Sequence, residues 1–386
     1  MSAPAESRPA AAAAASDTDP DPSAASAASP ASPSPAASSA SSASSPSPSA
    51  ARGAAGLGRF VDWRIRFVAL GLVWGFSFLF MKVGNEAFAP LQVTLGRMVF
   101  GTAVLAVAVA VTRERLPRGG RTWLHLFVAA ILLNSLPFSL FATAEQTIPS
   151  MLAGMCNAAT PLFSMLVSVV ALSEDRPSRQ RFAGVGIGFI GVLTVLGAWQ
   201  GFSGEDPGGT LMALTAAVSY AVGWAYVRRT LAGNGGSHLA MSAGQLGIGT
   251  LQLLVVTPFF TSLPHSYPAR SVLSVLALGA LGTGLAFLVQ YGLVAEKGPT
   301  IGSMVTYLIP IVATAAGVLL LGESLSWNEP VGAVVILFGA ALTQRRPRSG
   351  AAVRASGVAG SDAPTAAARE DRAPQAGARE TAEAQA

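Results

Sequence analysis

Long apolar runs separated by short polar breaks dominate the middle of the chain. Ten of these runs reach the length of about 20 residues that a helix needs to cross the hydrocarbon core of a bilayer. None of them alternates apolar and polar positions as a strand of a membrane barrel does. The pattern predicts an all-α polytopic membrane protein with ten transmembrane helices, at 66–84, 91–112, 123–143, 149–173, 181–200, 209–229, 239–261, 271–294, 299–321 and 327–344.

The two ends of the chain lack this pattern. Residues 1–58 consist mainly of Ala, Ser and Pro, and residues 349–386 are rich in Ala with scattered charges. Neither 1–58 nor 349–386 contains an aromatic residue, so neither segment can bury enough apolar area to offset the entropy of ordering. We therefore predict that both are disordered cytoplasmic tails.

The Lys and Arg residues are distributed unevenly over the polar breaks. If the N-terminus is cytoplasmic, nearly all of them fall in cytoplasmic segments, whereas the outer loops hold Arg270, with Lys82 at the edge of the first span. Cytoplasmic loops carry the excess of Lys and Arg in membrane proteins, so both termini are predicted in the cytoplasm and the protein in the cytoplasmic membrane. The net charge of +5 does not cluster on a soluble surface, so no nucleic-acid partner is expected.

One stretch of sequence occurs twice in the apolar region. The segments "TPLFSMLVSVVALSED" (160–175) and "IPIVATAAGVLLLGES" (309–324) each carry a proline at the second position and a glutamate thirteen residues later. Similar segments precede and follow both copies, which divides the body into five-helix repeats at 66–200 and 209–344. Because five is odd, the second repeat enters the membrane from the opposite side, which is the inverted topology of many secondary transporters.

Several of these features occur together in one known family. The ten spans, the doubled five-helix unit, "WGFSFLFMK" (74–82), the arginine of the second span and the "P…LLLGES" segment resemble the EamA-type branch of the drug/metabolite transporter (DMT) superfamily. The resemblance covers about 66–346. It implies ten helices, both termini in the cytoplasm, and the movement of amino acids, other metabolites or drugs, often outward. The long Ala/Ser/Pro tail departs from the family pattern.

The two repeated prolines, Pro161 and Pro310, fall near the middle of the fourth and ninth spans. A proline inside a helix removes a backbone donor and leaves a carbonyl without its partner, which in a membrane must be compensated by protein or by a water-lined cavity. Helix breaks at matching places in two repeats are a good indication of a binding site near the midplane. The alternative is a packing kink, which would still shape a central cavity.

Polar and aromatic side chains inside the spans are the candidates to line that substrate pocket. A buried amide must be hydrogen-bonded or hydrated, so Asn157 either faces the cavity or bonds a neighbouring helix. Trp and Tyr usually mark the membrane interface, but Trp74 and Tyr220 lie well inside their spans. The predicted pocket consists of Trp74, Ser77, Arg97, Asn134, Asn157, Thr160, Tyr220, Trp224, Gln245, Gln290, Tyr291, Thr306 and Tyr307.

Arg97 is the deepest cation, six residues into the second span. A guanidinium left in lipid costs about 2.5–3.5 kcal/mol on insertion scales, so it is expected to face the bundle. It could pair with Glu86 or Glu145 as a structural tie, or bind a substrate carboxylate. Lys82 is expected to reach the outer surface along its aliphatic stem.

The acidic residues lie near the ends of the spans rather than in their middle. Glu174 and Glu323 are predicted to accept hydrogen bonds from the N–H groups at the start of the following helix, with proton coupling as the alternative. If transport is coupled to a proton rather than to another ion, Glu145 is the first candidate to carry it.

The sequence argues against an enzyme and against a metal or cofactor site. The histidines, His125, His238 and His265, lie at span ends or in loops, and none has a partner at zinc-ligand spacing. Neither a nucleophile elbow nor a glycine-rich phosphate loop is present.

The predicted function is secondary transport of a small metabolite, with export favoured. An importer, a lipid or nucleotide-sugar carrier of the same fold, and a channel are the alternatives. The expected partners are the substrate, the bilayer, a coupling ion and, as a further candidate, a second copy of the chain.

Overall fold

The computed structural model describes residues 61–171, 178–200, 206–231 and 237–344. Within these ranges every regular element is helical. The predicted tails and Glu174 lie outside the described residues. In chain order the helices are α1 (Trp63–Asn85), α2 (Pro90–Thr112), α3 (Gly120–Ala144), α4a (Ser150–Asn157), α4b (Thr160–Ala171), α5 (Arg179–Val195), α6 (Pro207–Thr230), α7 (His238–Phe260), α8 (Ala269–Lys297), α9a (Pro299–Met304), α9b (Ile309–Leu321) and α10 (Asn328–Gln344).

Eight of the predicted spans correspond to helices long and apolar enough to cross a membrane: α1, α2, α3, α6, α7, α8 and the two broken helices, 150–170 and 301–321. The helices α5 and α10 are shorter, at 17 residues each. Apolar side chains such as Val111, Phe259 and Leu319 point away from the rest of the protein. Such an outward-facing apolar surface suits the hydrocarbon core of a bilayer, and the protein is a multi-pass membrane protein.

Two helices contain a π-helical segment in their middle. In α3 it covers Ile131–Ser135, and in α8 it covers Ala280–Leu285. The causes differ, because Pro137 follows the first segment and removes a backbone donor, whereas glycines 279, 282 and 284 make the second backbone permissive. The two segments begin 149 residues apart, the same spacing as the repeated prolines.

The fourth and ninth helices are broken. In the fourth, α4a ends at Asn157 and α4b begins at Thr160, directly before Pro161. In the ninth, a short 3₁₀ turn at Val305–Tyr307 separates α9a from α9b, whose second residue is Pro310. Both prolines therefore occupy the first turn of a new helix, where the missing N–H costs nothing.

Glycines bring α5 and α10 into close contact. A Cβ added at Gly191 would lie 2.6 Å from the backbone nitrogen of Ile336, and one added at Gly339 would lie 2.5 Å from the backbone nitrogen of Gly188. The sequence motif of Gly184 and Gly188 indicates such an approach, and the structure confirms that Gly184 faces the backbone of α10. This contact joins the last helix of one repeat to the last helix of the other.

Candidate functional site

The two broken helices meet at one end of the bundle. There α4a packs against α9b, and α9b also packs against α1. The contact is tight, because a Cβ added at Gly154 would lie 2.6 Å from the Cβ of Ala313, and one added at Gly75 would lie 2.4 Å from Val312. Residues 150–156 are buried throughout. We call this region the closed end: α4a, α9b, the turn 145–149 and the end of α1.

Glu323 joins the two broken helices directly. Its carboxylate accepts hydrogen bonds from the backbone N–H of Ser150, at 2.7 Å, and of Met151, at 3.1 Å. These are free donors at the first turn of α4a, where a negative charge is favourable. The expectation that Glu323 caps the start of the following helix is therefore wrong: it caps a helix of the other repeat, 173 residues away in sequence.

Lys82 holds the turn between α3 and α4a. Its ammonium donates to the carbonyl oxygens of Glu145, at 2.5 Å, and Ile148, at 2.9 Å. The residue is half-buried and bonded to backbone, so the expectation that Lys82 reaches the surface as an anchor is also wrong. The turn is held from a second side, since Thr147 donates to the carboxylate of Asp206, 2.7 Å away, at the start of α6.

The Glu145 side chain lies inside this closed end, in the turn between the third and fourth spans and outside both. It is 1% exposed, and neither carboxyl oxygen has a hydrogen-bond partner among the described residues. Burial raises the pKa of this carboxyl well above its ordinary value, an effect that the nearby Lys82 opposes.

The other halves of the broken helices are not joined in the same way. Here α4b packs on α6, and α9a packs on α8; among the described residues no comparable packing connects α4b with α9a. Met304 is 45% exposed and Trp224 is 60% exposed. Trp224 lies on the face of α6 that carries Ala217 and Tyr220, which pack into the bundle. The exposed Trp224 ring therefore belongs to the interior side of α6. We call the region formed by α4b, α9a and the adjoining parts of α6 and α8 the open half.

Arg97 is 8% exposed and links α2 to the π segment of α8. Its Nε donates to the Thr283 hydroxyl at 2.9 Å, and its guanidinium carbon lies 3.7 Å from the centre of the Phe138 ring, a cation–π contact. Among the described residues, neither carboxylate expected to pair with Arg97 forms an ion pair with it, and Glu86 instead faces Arg270 at 3.5 Å. This geometry gives Arg97 the contacts of a structural tie.

A second polar bond occupies the corresponding place in the other repeat. Gln245 of α7 donates to the Asn134 side chain, 2.6 Å away, in the π segment of α3. Asn134 and Thr283 are 149 residues apart, so the repeat spacing could have identified Thr283, which sequence reasoning missed. Between these two bonds, the hydroxyls of Thr102 and Thr250 meet at 2.7 Å and connect α2 to α7.

Three predicted aromatic residues contribute to the main buried core of the bundle. Trp74, Tyr220 and Tyr307 pack against one buried cluster, which also contains Ala158 and Ala159 from the break in the fourth helix. Tyr220 makes ring contacts with Phe138 and Phe141, and the Tyr307 hydroxyl is buried without a hydrogen-bond partner. Tyr307 lies directly at the break in the ninth helix, whereas Trp74 and Tyr220 reach this core from α1 and α6.

The remaining predicted pocket residues divide into two groups. Some bond nearby protein groups: Ser77 donates to its own helix at Val73, Gln290 donates to the carbonyl of Gly302, and Tyr291 bonds Ser242. The others lie at the breaks and are partly exposed. This second group consists of Asn157, Thr160 and Thr306, the two threonines donating to the backbone carbonyls three residues earlier in the chain.

A separate groove of about 350 Å³ lies on the outside of α2, between Phe88, Phe100 and Tyr267. Its walls are almost wholly apolar, and its one amide, Gln92, already donates to Ser262. It contains none of the predicted pocket residues and contributes nothing to the candidate site.

Comparison with known proteins now adds to this geometry. The model of the EamA-like transporter family matches the chain twice, at residues 63–197 and 207–345. The chain belongs to the EamA-like transporter family. The duplicated match shows that this EamA-like protein is a membrane transporter built from two copies of one domain.

Curated relatives of this EamA-like transporter have names of the same kind. The uncharacterized inner membrane transporter YedA of Escherichia coli K12 is 26% identical over 71% of this chain and 88% of its own. The probable amino-acid metabolite efflux pump of Salmonella typhimurium is 26% identical over 69% of this chain and 90% of its own. A crystal structure at 22% identity superposes with a TM-score of 0.52, covering 72% of this chain and 95% of that one, which supports the fold.

Proposed function

We propose that this EamA-like transporter exports a small metabolite, such as an amino acid, a related metabolite or a drug-like compound, across the cytoplasmic membrane by alternating access. The observation that carries the proposal is the state of the two broken helices, which are joined at one end and separate at the other around the same breaks. A carrier needs such a state, because access to a central site must alternate between the two sides. The name of the Salmonella relative supports a metabolite as the substrate and export as the direction.

The proposal includes ten spans arranged as two inverted five-helix repeats. It is supported by three kinds of irregularity that recur about 149 residues apart: the π segments, the helix breaks and the polar bonds of Arg97 and Gln245. In this arrangement α5 and α10 also cross the membrane, although they are short. Both termini then lie in the cytoplasm, because the segments on that side carry the excess of Lys and Arg. The open half then faces the cytoplasm, the side from which an exporter loads.

The chemistry around the breaks indicates the class of substrate. At the breaks lie the uncharged hydrogen-bonding groups of Asn157, Thr160 and Thr306. We assign the rings of Trp74, Tyr220, Trp224 and Tyr307 to the same pocket. Arg97 is already engaged with Thr283 and Phe138. A phosphate-bearing substrate would need cations, so the site suits a neutral or zwitterionic metabolite better than a nucleotide sugar.

The test begins with a comparison of exported metabolites between cells that overexpress the protein and cells that lack it. The substrate found in this way is then measured in proteoliposomes, where counterflow distinguishes a carrier from a channel. Replacing Asn157 or Trp224 with Ala should lower flux about tenfold, equivalent to the loss of about 1.4 kcal/mol of binding. Trp327→Ala is the matched control, because Trp327 is 63% exposed and its ring packs at a tilt against Trp199 outside the site. Normal flux in both pocket variants, correctly inserted, would disprove the pocket assignment.

A further inference from the structure

The carboxyl group of Glu145 takes part in none of the contacts described so far. Its two oxygens are buried and lack hydrogen-bond partners among the described residues, although its own backbone carbonyl accepts from Lys82. A buried carboxylate without a partner is among the most costly groups that a protein can contain. A protonated carboxyl avoids this cost because it carries no charge.

The charged groups around Glu145 do not neutralise it. Lys82, from α1, directs its ammonium at backbone carbonyls, and Arg97, from α2, is bonded to Thr283. Neither forms an ion pair with Glu145 in the described part of the chain. The other titratable groups that face this region are Glu323, Asp206 and Tyr220, of which the first two are acids bonded to backbone N–H groups.

We propose that Glu145 is a proton-binding site of the closed end, filled when this end closes and emptied when it opens. On closing, the Glu145 carboxylate takes a proton from the water on that side and becomes a neutral carboxylic acid. On opening, α4a and α9b separate, water reaches the carboxyl and the proton returns to it. This proposal rests on the alternating access proposed above and identifies a proton as the ion that acts at this site.

The pH dependence follows from which state binds the proton. The pKa of Glu145 is raised by burial in the closed end, whereas a hydrated carboxyl titrates at its ordinary value. The closed end is therefore favoured at low pH and loses this advantage as the pH rises through the raised pKa. Between the two pKa values, the ratio of closed to open molecules should fall up to tenfold for each pH unit.

The experiment measures the distance across the closed end as a function of pH. Spin labels are placed on cysteines introduced at Gln146 and Ser324, which are exposed on the two sides of this end. The native Cys156, the single cysteine of the chain, is replaced by Ala. In the full-length protein we expect a short distance at low pH and a growing population of longer distances as the pH rises.

The variant Glu145→Gln should keep the short distance at every pH, since the amide remains neutral. Glu86→Gln is the matched control, because Glu86 is an exposed carboxylate at the same end, and it should titrate like the unmodified chain. A distance independent of pH in the unmodified chain, or an unchanged pH dependence in Glu145→Gln, would overturn the proposal. The pH dependence of the distance in the unmodified chain can be measured whether or not Glu145→Gln folds.

A reference variant separates this proposal from the proposed function. Gly154→Leu, whose side chain cannot fit against Ala313, should lengthen the distance at all pH values. If it does so while pH has no effect, alternating access stands and the proton site fails. If neither pH nor this variant changes the distance, the alternating access on which both proposals depend fails.

Discussion

The closed end and the open half contain related segments of sequence in different environments. At the closed end, the first half of the fourth helix is buried against the second half of the ninth, and Glu323 bonds the free amides of α4a. In the open half, the second half of the fourth helix and the first half of the ninth pack on α6 and α8 instead. Two similar repeats therefore hold their equivalent helices in different contacts.

The difference lies in the partners of the helix halves, because α4a packs on α9b of the other repeat whereas α9a packs on α8 of its own. Each repeat contains the same elements, so a symmetric arrangement is available to the sequence. Closing one end brings glycines and small residues into contact, which favours tight packing there. If the protein alternates between a state with this end closed and a state with it open, a change that weakens the packing of the closed end should favour the open state.

The largest effect is expected from Gly154→Leu. The Cβ alone would lie 2.6 Å from Ala313, and overpacking of this kind costs about 1–3 kcal/mol, or roughly 5–150-fold in the ratio of the two states. The label pair at 146 and 324 should report a longer distance, and substrate flux should fall. Gly186→Leu is the control, because nothing lies within 4 Å of a Cβ there. A distance as short in Gly154→Leu as in Gly186→Leu would count against an opening of the closed end, and so against the proposed alternating access.

The sequence predicted most of the helices and helix breaks that form the closed end and the open half. The apolar runs locate the helices because length and hydropathy are local properties. The breaks at residues 158–159 and 305–308 follow from Pro161 and Pro310, since a proline in a helix interior removes a hydrogen bond and clashes with the carbonyl four residues earlier. These features are encoded within a few residues of where they appear.

The partners of the polar side chains could not be predicted in the same way. Thr283, which binds Arg97, is 186 residues away, and the amide that binds Glu323 is 173 residues away. Such pairs depend on how the two repeats are placed against each other, which no local pattern describes. The π segments could not be predicted either, because Pro137 and the glycines 279, 282 and 284 indicate an irregular helix without specifying its kind.

A comparable effect, but on the unfolding free energy rather than on the ratio of two states, is expected from breaking the polar bonds between the repeats. Thr283→Val keeps the side-chain shape but leaves the buried Arg97 Nε without its acceptor, which should cost about 1–3 kcal/mol of unfolding free energy. Gln245→Leu leaves the neutral Asn134 oxygen unpaired and should cost less, since no charge is involved. Denaturation in mixed micelles measures both.

The matched control for these two variants is Thr215→Val, because Thr215 is exposed and donates to the carbonyl of Leu211 in its own helix. It should leave the unfolding free energy nearly unchanged. A loss in Gln245→Leu equal to or larger than that in Thr283→Val would contradict the view that the charged bond of Arg97 makes the stronger tie.

The smallest effect is expected from Glu323→Gln. The amide oxygen can still accept from the first turn of α4a, but the favourable interaction of a negative charge with the helix N-terminus is lost, which is typically worth about 0.3–1 kcal/mol. The closed population should therefore fall about two- to fivefold, measured with the same label pair at 146 and 324. Glu86→Gln removes a charge at the same end without touching α4a, since its partner is Arg270, and it should have no effect. An equal shift in both variants would mean that the net charge of the closed end, rather than the bond between Glu323 and α4a, stabilises the closed state.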